Sequence, residues 1–176
     1  MTKYDDIFEI AADNYGLVTN AQAMDVGVTR MELSRYTESG RLERRGHALY
    51  RLVKWVPTQY DRFAEAVAQV GDGAVLYGEG VLAMLELASA NPSAITVATP
   101  KRVRRKLPGW IELVRTNDIG RARSYMGIPC QHVADAILAC RGRIMGERLA
   151  QATKQAREQG WIDAAEARHL TKELKK

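Results

Sequence analysis

Apolar residues recur three and four apart from the start of the chain: Tyr4, Ile7, Phe8 and Ala11 share one helical stripe. That spacing predicts a helix from about Lys3 to Asn14, closed near Gly16. Two capping boxes follow, Thr19 with Gln22 and Thr29 with Glu32. In each, hydroxyl and N3 side chain can satisfy helix-end amides reciprocally, which predicts two short successive helices with Gly27 between them. Gly40 then ends a helix, and around Gly46 the period falls to two. Ala48, Tyr50 and Leu52 alternate there, predicting a two-stranded hairpin.

Beyond this point the pattern changes. Val56-Pro57 reads as a hinge and Thr58 as a fresh helix cap. Tyr60, Phe63, Ala64, Val67 and Ala68 predict an amphipathic helix ending at Gly71-Asp72-Gly73. "AVLY" reads as a short buried strand, followed by a small-residue helix from about Glu79 to Ala88. "AITVAT" and "WIELVR" have β-type composition and predict two strands joined by a long basic turn, "KRVRRKLPG". From about Gln131 the chain is expected to be helical to its end. Gly160 is a helix stop there, and Asp163 with Glu166 opens the last helix.

The composition, 46% hydrophobic and 27% charged, is that of a folded soluble protein. No apolar run approaches the roughly 20 residues of a membrane helix. The start, "MTKYDDIFEI", lacks the apolar core of a secretory signal. Cys130 and Cys140 suit neither a disulfide framework nor a metal site, so a reducing cytoplasm is the expected compartment. The net charge of +5 is unevenly spread. Residues 57–100 carry one basic and five acidic side chains, whereas residues 101–123 carry eight basic and two acidic. Arg30 to Arg51 holds six arginines against three glutamates. Such local concentration is expected of a polyanion-binding surface, with a merely solvated basic face as the plain alternative.

Catalytic patterns are missing. No Gly-x-Ser-x-Gly, Walker loop or zincin motif occurs. His47, His132 and His169 are scattered, and Cys130-x-His132 lacks further ligands. Asp118 and Asp135 could pair as nuclease carboxylates, but Glu112-Leu113-Val114-Arg115 offers an arginine where such a strand needs lysine. No enzyme, metal or cofactor is expected.

The spacing between Ala23 and Tyr36 carries more. A helix-turn-helix needs its second helix to cross the first closely and present one face to the major groove. Ala23 is small at the crossing, Gly27 permits positive φ in the turn, and Val28, Leu33 and Tyr36 fill the wedge. The outward face is then Arg30, Met31, Ser34, Arg35 and Glu38. Arg44, Arg45 and His47 around Gly46 fit the wing of a winged helix. Thr29 caps the second helix and borders the same surface. The expected fold class is α/β (α+β), a winged helix-turn-helix over residues 1–56 and a mixed α/β domain ending in helices over 57–176. Lys101, Arg102, Arg104, Arg105 and Lys106 form a second basic patch, for DNA backbone or a partner, unless it is simply a solvated turn.

"GLVTNAQAMDVGVTRMELSRYTESGRLERRGHALYRL" resembles the N-terminal domain of AbiEi-type antitoxins, regulators in type IV toxin–antitoxin (abortive infection) systems. More loosely, "VLYGEGVLAMLEL", "ITVATP" and "IPCQHVADAIL" follow the order of elements of that family's C-terminal part. The resemblance implies a repressor binding repeats in its own promoter, with a C-terminal antitoxin domain that counters a nucleotidyltransferase toxin. It assigns DNA reading to Thr29, Arg30, Met31, Ser34 and Arg35, with Arg44, Arg45 and His47 on the wing. Two other readings stay open: a stand-alone winged-helix regulator whose C-terminal region dimerises or senses, and a module that docks a partner protein through its winged helix. Inverted repeats would accept either a dimer or two monomers in succession.

Overall fold

The computed structural model describes residues 1–176. It is a mixed α/β protein that divides into two compact units, Met1–Gln69 and Val70–Lys176.

In the first unit, α1 (Lys3–Ala12) is opened by Thr2, whose side chain accepts from the Asp5 N–H while the Asp5 carboxylate accepts from the Thr2 N–H. The helix stops at Ala12, short of the expected Asn14, because Tyr15 and Gly16 both take left-handed φ angles, 55° and 74°. A short strand β1 (Leu17–Thr19) leads into α2 (Asn20–Asp25) and α3 (Arg30–Glu38). The hairpin β2 (Leu42–Gly46) and β3 (Leu49–Leu52) follows, and the antiparallel sheet has the order β1-β3-β2. Ile7, Ala11, Val18, Ala23, Val28, Leu33, Leu42 and Leu52 form the core, with Tyr4, Tyr36, Tyr50 and Trp55 packed against it. This is a winged helix-turn-helix in its full order of elements.

Two details differ from the sequence reading. Ala48 lies in the hairpin turn at φ 54°, not in the strand. The unit also runs past Val56-Pro57 to include most of α4 (Asp61–Val70). Residues of β3 alternate between faces: Tyr50 and Leu52 meet the core, while Arg51 on the other face meets Glu65 of α4. Leu49 shares that second face and is buried. Glu65 also accepts two bonds from Arg45, at 3.0 and 3.1 Å, and the Gln69 amide donates to the Arg45 carbonyl at 2.7 Å. Trp55 covers Gly16 and donates from its indole N–H to Asp61 at 2.7 Å. Asp61 in turn accepts from the Thr58 hydroxyl at 2.6 Å and the Thr58 hydroxyl oxygen accepts from the Tyr60 N–H at 3.2 Å, so Thr58, expected to cap the helix, instead braces the turn that precedes Asp61. A polar helix end and a charged cluster therefore fasten α4 to the hairpin.

The second unit is built on a five-stranded sheet, β6-β5-β4-β8-β7, from β4 (Val75–Leu76), β5 (Ile95–Thr99), β6 (Ile111–Arg115), β7 (Ala122–Tyr125) and β8 (Ile128–Gln131). Its helices are α5 (Glu79–Met84), α6 (Val133–Ala139), α7 (Gly146–Glu158) and α8 (Ala164–Glu173). β5 is buried along its whole length, as a central strand covered on both faces must be. β5 and β6 are parallel, so the basic segment between them is a crossover rather than a turn. Gly80 lets α5 lie directly on the sheet: a Cβ there would stand 2.7 Å from the Thr96 carbonyl oxygen. Helix α5 ends at Met84, before the expected Ala88, because Glu86 and Ala88 take left-handed angles. The Ala88 N–H then donates to Gln155 at 2.6 Å, and Arg148 donates to the Ala88 and Ser89 carbonyls at 2.9 and 3.2 Å.

The β7–β8 hairpin stands where helix was expected to begin only a few residues later. Its two-residue turn is Met126-Gly127, both at positive φ. Cys130 and Cys140 are buried free thiols, each pushed up to about 12 by desolvation. His132 caps α6 by accepting from the Ala134 N–H at 3.2 Å, and burial holds its imidazole below the ordinary value. Arg121 donates to Asp135 and to Glu166, linking the approach to β7 with α6 and α8. Asp118 is exposed.

Candidate nucleic-acid interface

The helical corner is made by backbone as much as by side chains. Gly27 sits at φ 77° with open space where a Cβ would be, so its requirement is conformational rather than steric. The Val28 N–H returns to the Ala23 carbonyl at 2.9 Å, closing the turn. Ala23, Val28 and Leu33 are all buried, and Tyr36 is half-buried against Tyr4 in an edge-on ring pair 5.3 Å apart.

Thr29 and Glu32 form the cap of α3 in both directions. The Glu32 N–H donates to the Thr29 hydroxyl oxygen at 3.2 Å, and the Glu32 carboxylate accepts from the Thr29 N–H and hydroxyl at 2.8 and 3.1 Å. The hydroxyl proton of Thr29 is thus already committed. Lys3 reaches across from α1 to the other Glu32 oxygen at 2.8 Å. The Lys3 ammonium, followed by the Thr29 N–H, lowers the Glu32 carboxyl from 4.5 to about 2. A carboxylate whose folded-state value is depressed contributes fully above its ordinary value and loses that contribution as pH falls toward the depressed one. We expect the unfolding midpoint of the N-terminal unit to drop between about pH 4.5 and about pH 2. A Glu32→Gln variant should lack that component, which thermal melts of both proteins across the range would show.

Beyond the cap, α3 turns Arg30, Met31, Ser34, Arg35 and Glu38 to solvent. The Arg35 guanidinium lies 3.7 Å from the Met31 sulfur, and the Ser34 hydroxyl donates to Glu38 at 3.4 Å. On the wing, Arg44 and His47 are exposed, and Arg44 Nε donates to the Gly46 carbonyl at 3.3 Å. Arg45 points the other way. Its forked pairing with Glu65 raises the guanidinium further above its ordinary value and holds it against α4. Of the three wing residues read from the sequence, two face solvent and one is engaged within the protein. Glu65, which makes that choice, lies far along the chain and carries no local signal. Arg41, placed 4.9 Å over the Tyr4 ring, is a further exposed cation beside the hairpin.

In the second unit, Lys101, Arg102, Arg104 and Lys106 of the crossover are exposed. Arg105 donates to the Val70 carbonyl at 2.7 Å, at the C-terminus of α4, where the helix dipole favours a cation.

The first unit therefore has the winged helix-turn-helix fold, with Arg30 and Arg35 exposed on the outer face of α3. Residues 5–53 match a family model described as transcriptional regulator, AbiEi antitoxin, the family the sequence resembles. The match spans α1 through β3 and stops before α4. Among solved structures, the chain is similar to the crystal structure of the RV2827C protein from Mycobacterium tuberculosis, with 14% identity and a TM-score of 0.42 over 97% of this chain and 80% of that one. No curated protein sequence matches the chain. No helix is long and apolar enough to cross a membrane.

Proposed function

We propose that the chain is a DNA-binding transcriptional repressor and antitoxin that regulates its own operon and counters a nucleotidyltransferase-type toxin. The observation that carries this is the outward face of α3: Arg30 and Arg35 stand exposed and free of internal ion pairs, with Ser34 exposed beside them, on the element a winged helix lays into the major groove, within the residues that match the AbiEi model. Arg30 and Arg35 would fork onto guanine O6 and N7, and Ser34 would bond a phosphate or base edge. Arg44 and His47 would set the wing against phosphates or the minor groove, and Thr29 would hold the helix end that approaches the duplex. Lys101, Arg102, Arg104 and Lys106 would add phosphate contacts or meet a partner. The unit from Val70 onward would carry the antitoxin role.

The test is a mobility shift with DNA from upstream of the chain's own reading frame, at several salt concentrations. We expect a specific complex whose log K falls with log salt, each phosphate contact adding close to one unit of slope. Equal affinity for this DNA and for random duplex would overturn the repressor. The family match ends at residue 53, which favours one second reading, a regulator whose C-terminal unit dimerises or senses. Co-expression with the neighbouring reading frame separates the two: relief of a growth defect supports the antitoxin.

A further inference from the structure

Met31 is the apolar exception on the outward face of α3. It is 66% exposed, on a helix whose other outward residues are Arg30, Ser34, Arg35 and Glu38. An unbranched thioether held in water gains by burial against any apolar surface, and its three rotatable bonds let it fit an uneven one. The base edges of the major groove offer one apolar group, the 5-methyl of thymine. Met31 is also in contact with Arg35, one of the two arginines proposed to fork onto guanine, through the 3.7 Å approach of guanidinium to sulfur.

We infer that Met31 is a specificity-determining residue that reads a thymine methyl within two base pairs of the guanine bound by Arg35. The inference rests on the DNA-binding reading above. Residues four apart on a helix are about 6 Å apart along its axis, which is between one and two base-pair steps of about 3.4 Å. One side chain reads hydrogen-bonding groups and the other reads a shape, so together they define a two-point recognition element. The thioether also covers one edge of the Arg35 guanidinium and narrows the directions in which its fork can point.

The experiment begins by selecting binding sites from a randomised duplex pool with the full-length chain. Each thymine of the selected site is then replaced by uracil, which lacks only the methyl, and each guanine by 7-deazaguanine, which lacks N7. For the unaltered protein, uracil at one position within two base pairs of a sensitive guanine should weaken binding about fourfold, the effect of burying one methyl-sized group. Met31→Ala should bind the thymine and uracil sites equally while keeping the 7-deazaguanine penalty, and Met31→Leu should restore discrimination. A uracil penalty that survives in Met31→Ala, or no uracil penalty anywhere beside an intact guanine penalty, overturns the inference and leaves the DNA-binding reading standing. Failure to select any sequence, with no duplex binding at low salt, overturns both.

Discussion

Replacing Glu65 with alanine should cost the N-terminal unit about 3 kcal/mol, the scale of leaving a buried charge without its partner. Its carboxylate is 6% exposed and accepts from two guanidinium groups, Arg45 and Arg51, on the hairpin. The two arginines would not suffer equally. Arg45, at 31% exposed, can swing into water, whereas Arg51, at 16%, is more enclosed and its Nε has no hydrogen-bond partner even in the intact protein. The cost therefore falls mainly on Arg51. Glu65→Gln, which keeps an acceptor of the same shape, should lose less. Pairing Glu65→Leu with Arg51→Met should recover much of the loss, because apolar replacement of both partners removes the desolvation penalty along with the attraction. Urea denaturation gives the totals, and amide exchange across Leu49–Leu52 locates the weakening. A Glu65→Ala protein within about 0.5 kcal/mol of the parent, the range of an inert surface change, would mean that the cluster is not what fastens α4 to the hairpin.

That cluster also marks where the sequence stopped being legible. The helix-turn-helix could be read because its determinants are local: a hydroxyl and an acid three residues apart, a glycine free to take positive φ, and apolar residues at helical spacing. Thr19, Thr29 and Asp163 all cap their helices as their spacing predicts. The attachment of α4 depends instead on Glu65 meeting arginines 14 and 20 residues earlier in the chain, and a Val-Pro pair between them looks like a boundary. Helix α5 ends early for a similar reason. Its own residues would continue it, but Gln155 and Arg148 of α7 bond the backbone at Ala88 in a left-handed turn.

The β7–β8 hairpin escaped because its signals run against type. Met126 occupies a left-handed turn position usually given to asparagine or glycine. β7, an edge strand, is mostly exposed and so lacks an apolar face, and Pro129 interrupts the pattern of β8. At the candidate interface, the helix face was legible from spacing alone. The wing was less so: strand alternation puts Arg44 and Arg45 on opposite faces, but only the position of α4 decides which of them faces solvent.

Exchanging both Arg30 and Arg35 for alanine should weaken binding to the chain's own upstream DNA by at least about thirtyfold, from about 1–3 kcal/mol for each base-reading arginine. Both side chains are exposed and neither is in an ion pair within the protein, so stability should change by no more than about 0.5 kcal/mol. That separation makes the double variant informative. Melting temperature controls for folding, and random duplex controls for charge. If the two arginines read bases, affinity for random DNA falls less than affinity for the operator, and the difference between them shrinks. If they only meet phosphates, both affinities fall together and the salt slope drops by about two units. The same protein, co-expressed with the product of the neighbouring reading frame from an unrelated promoter, tests whether the proposed roles divide between the units. Growth rescued by a chain that no longer holds its operator would assign neutralisation to residues outside α3, whereas loss of rescue alongside loss of DNA binding would place both roles on the winged helix.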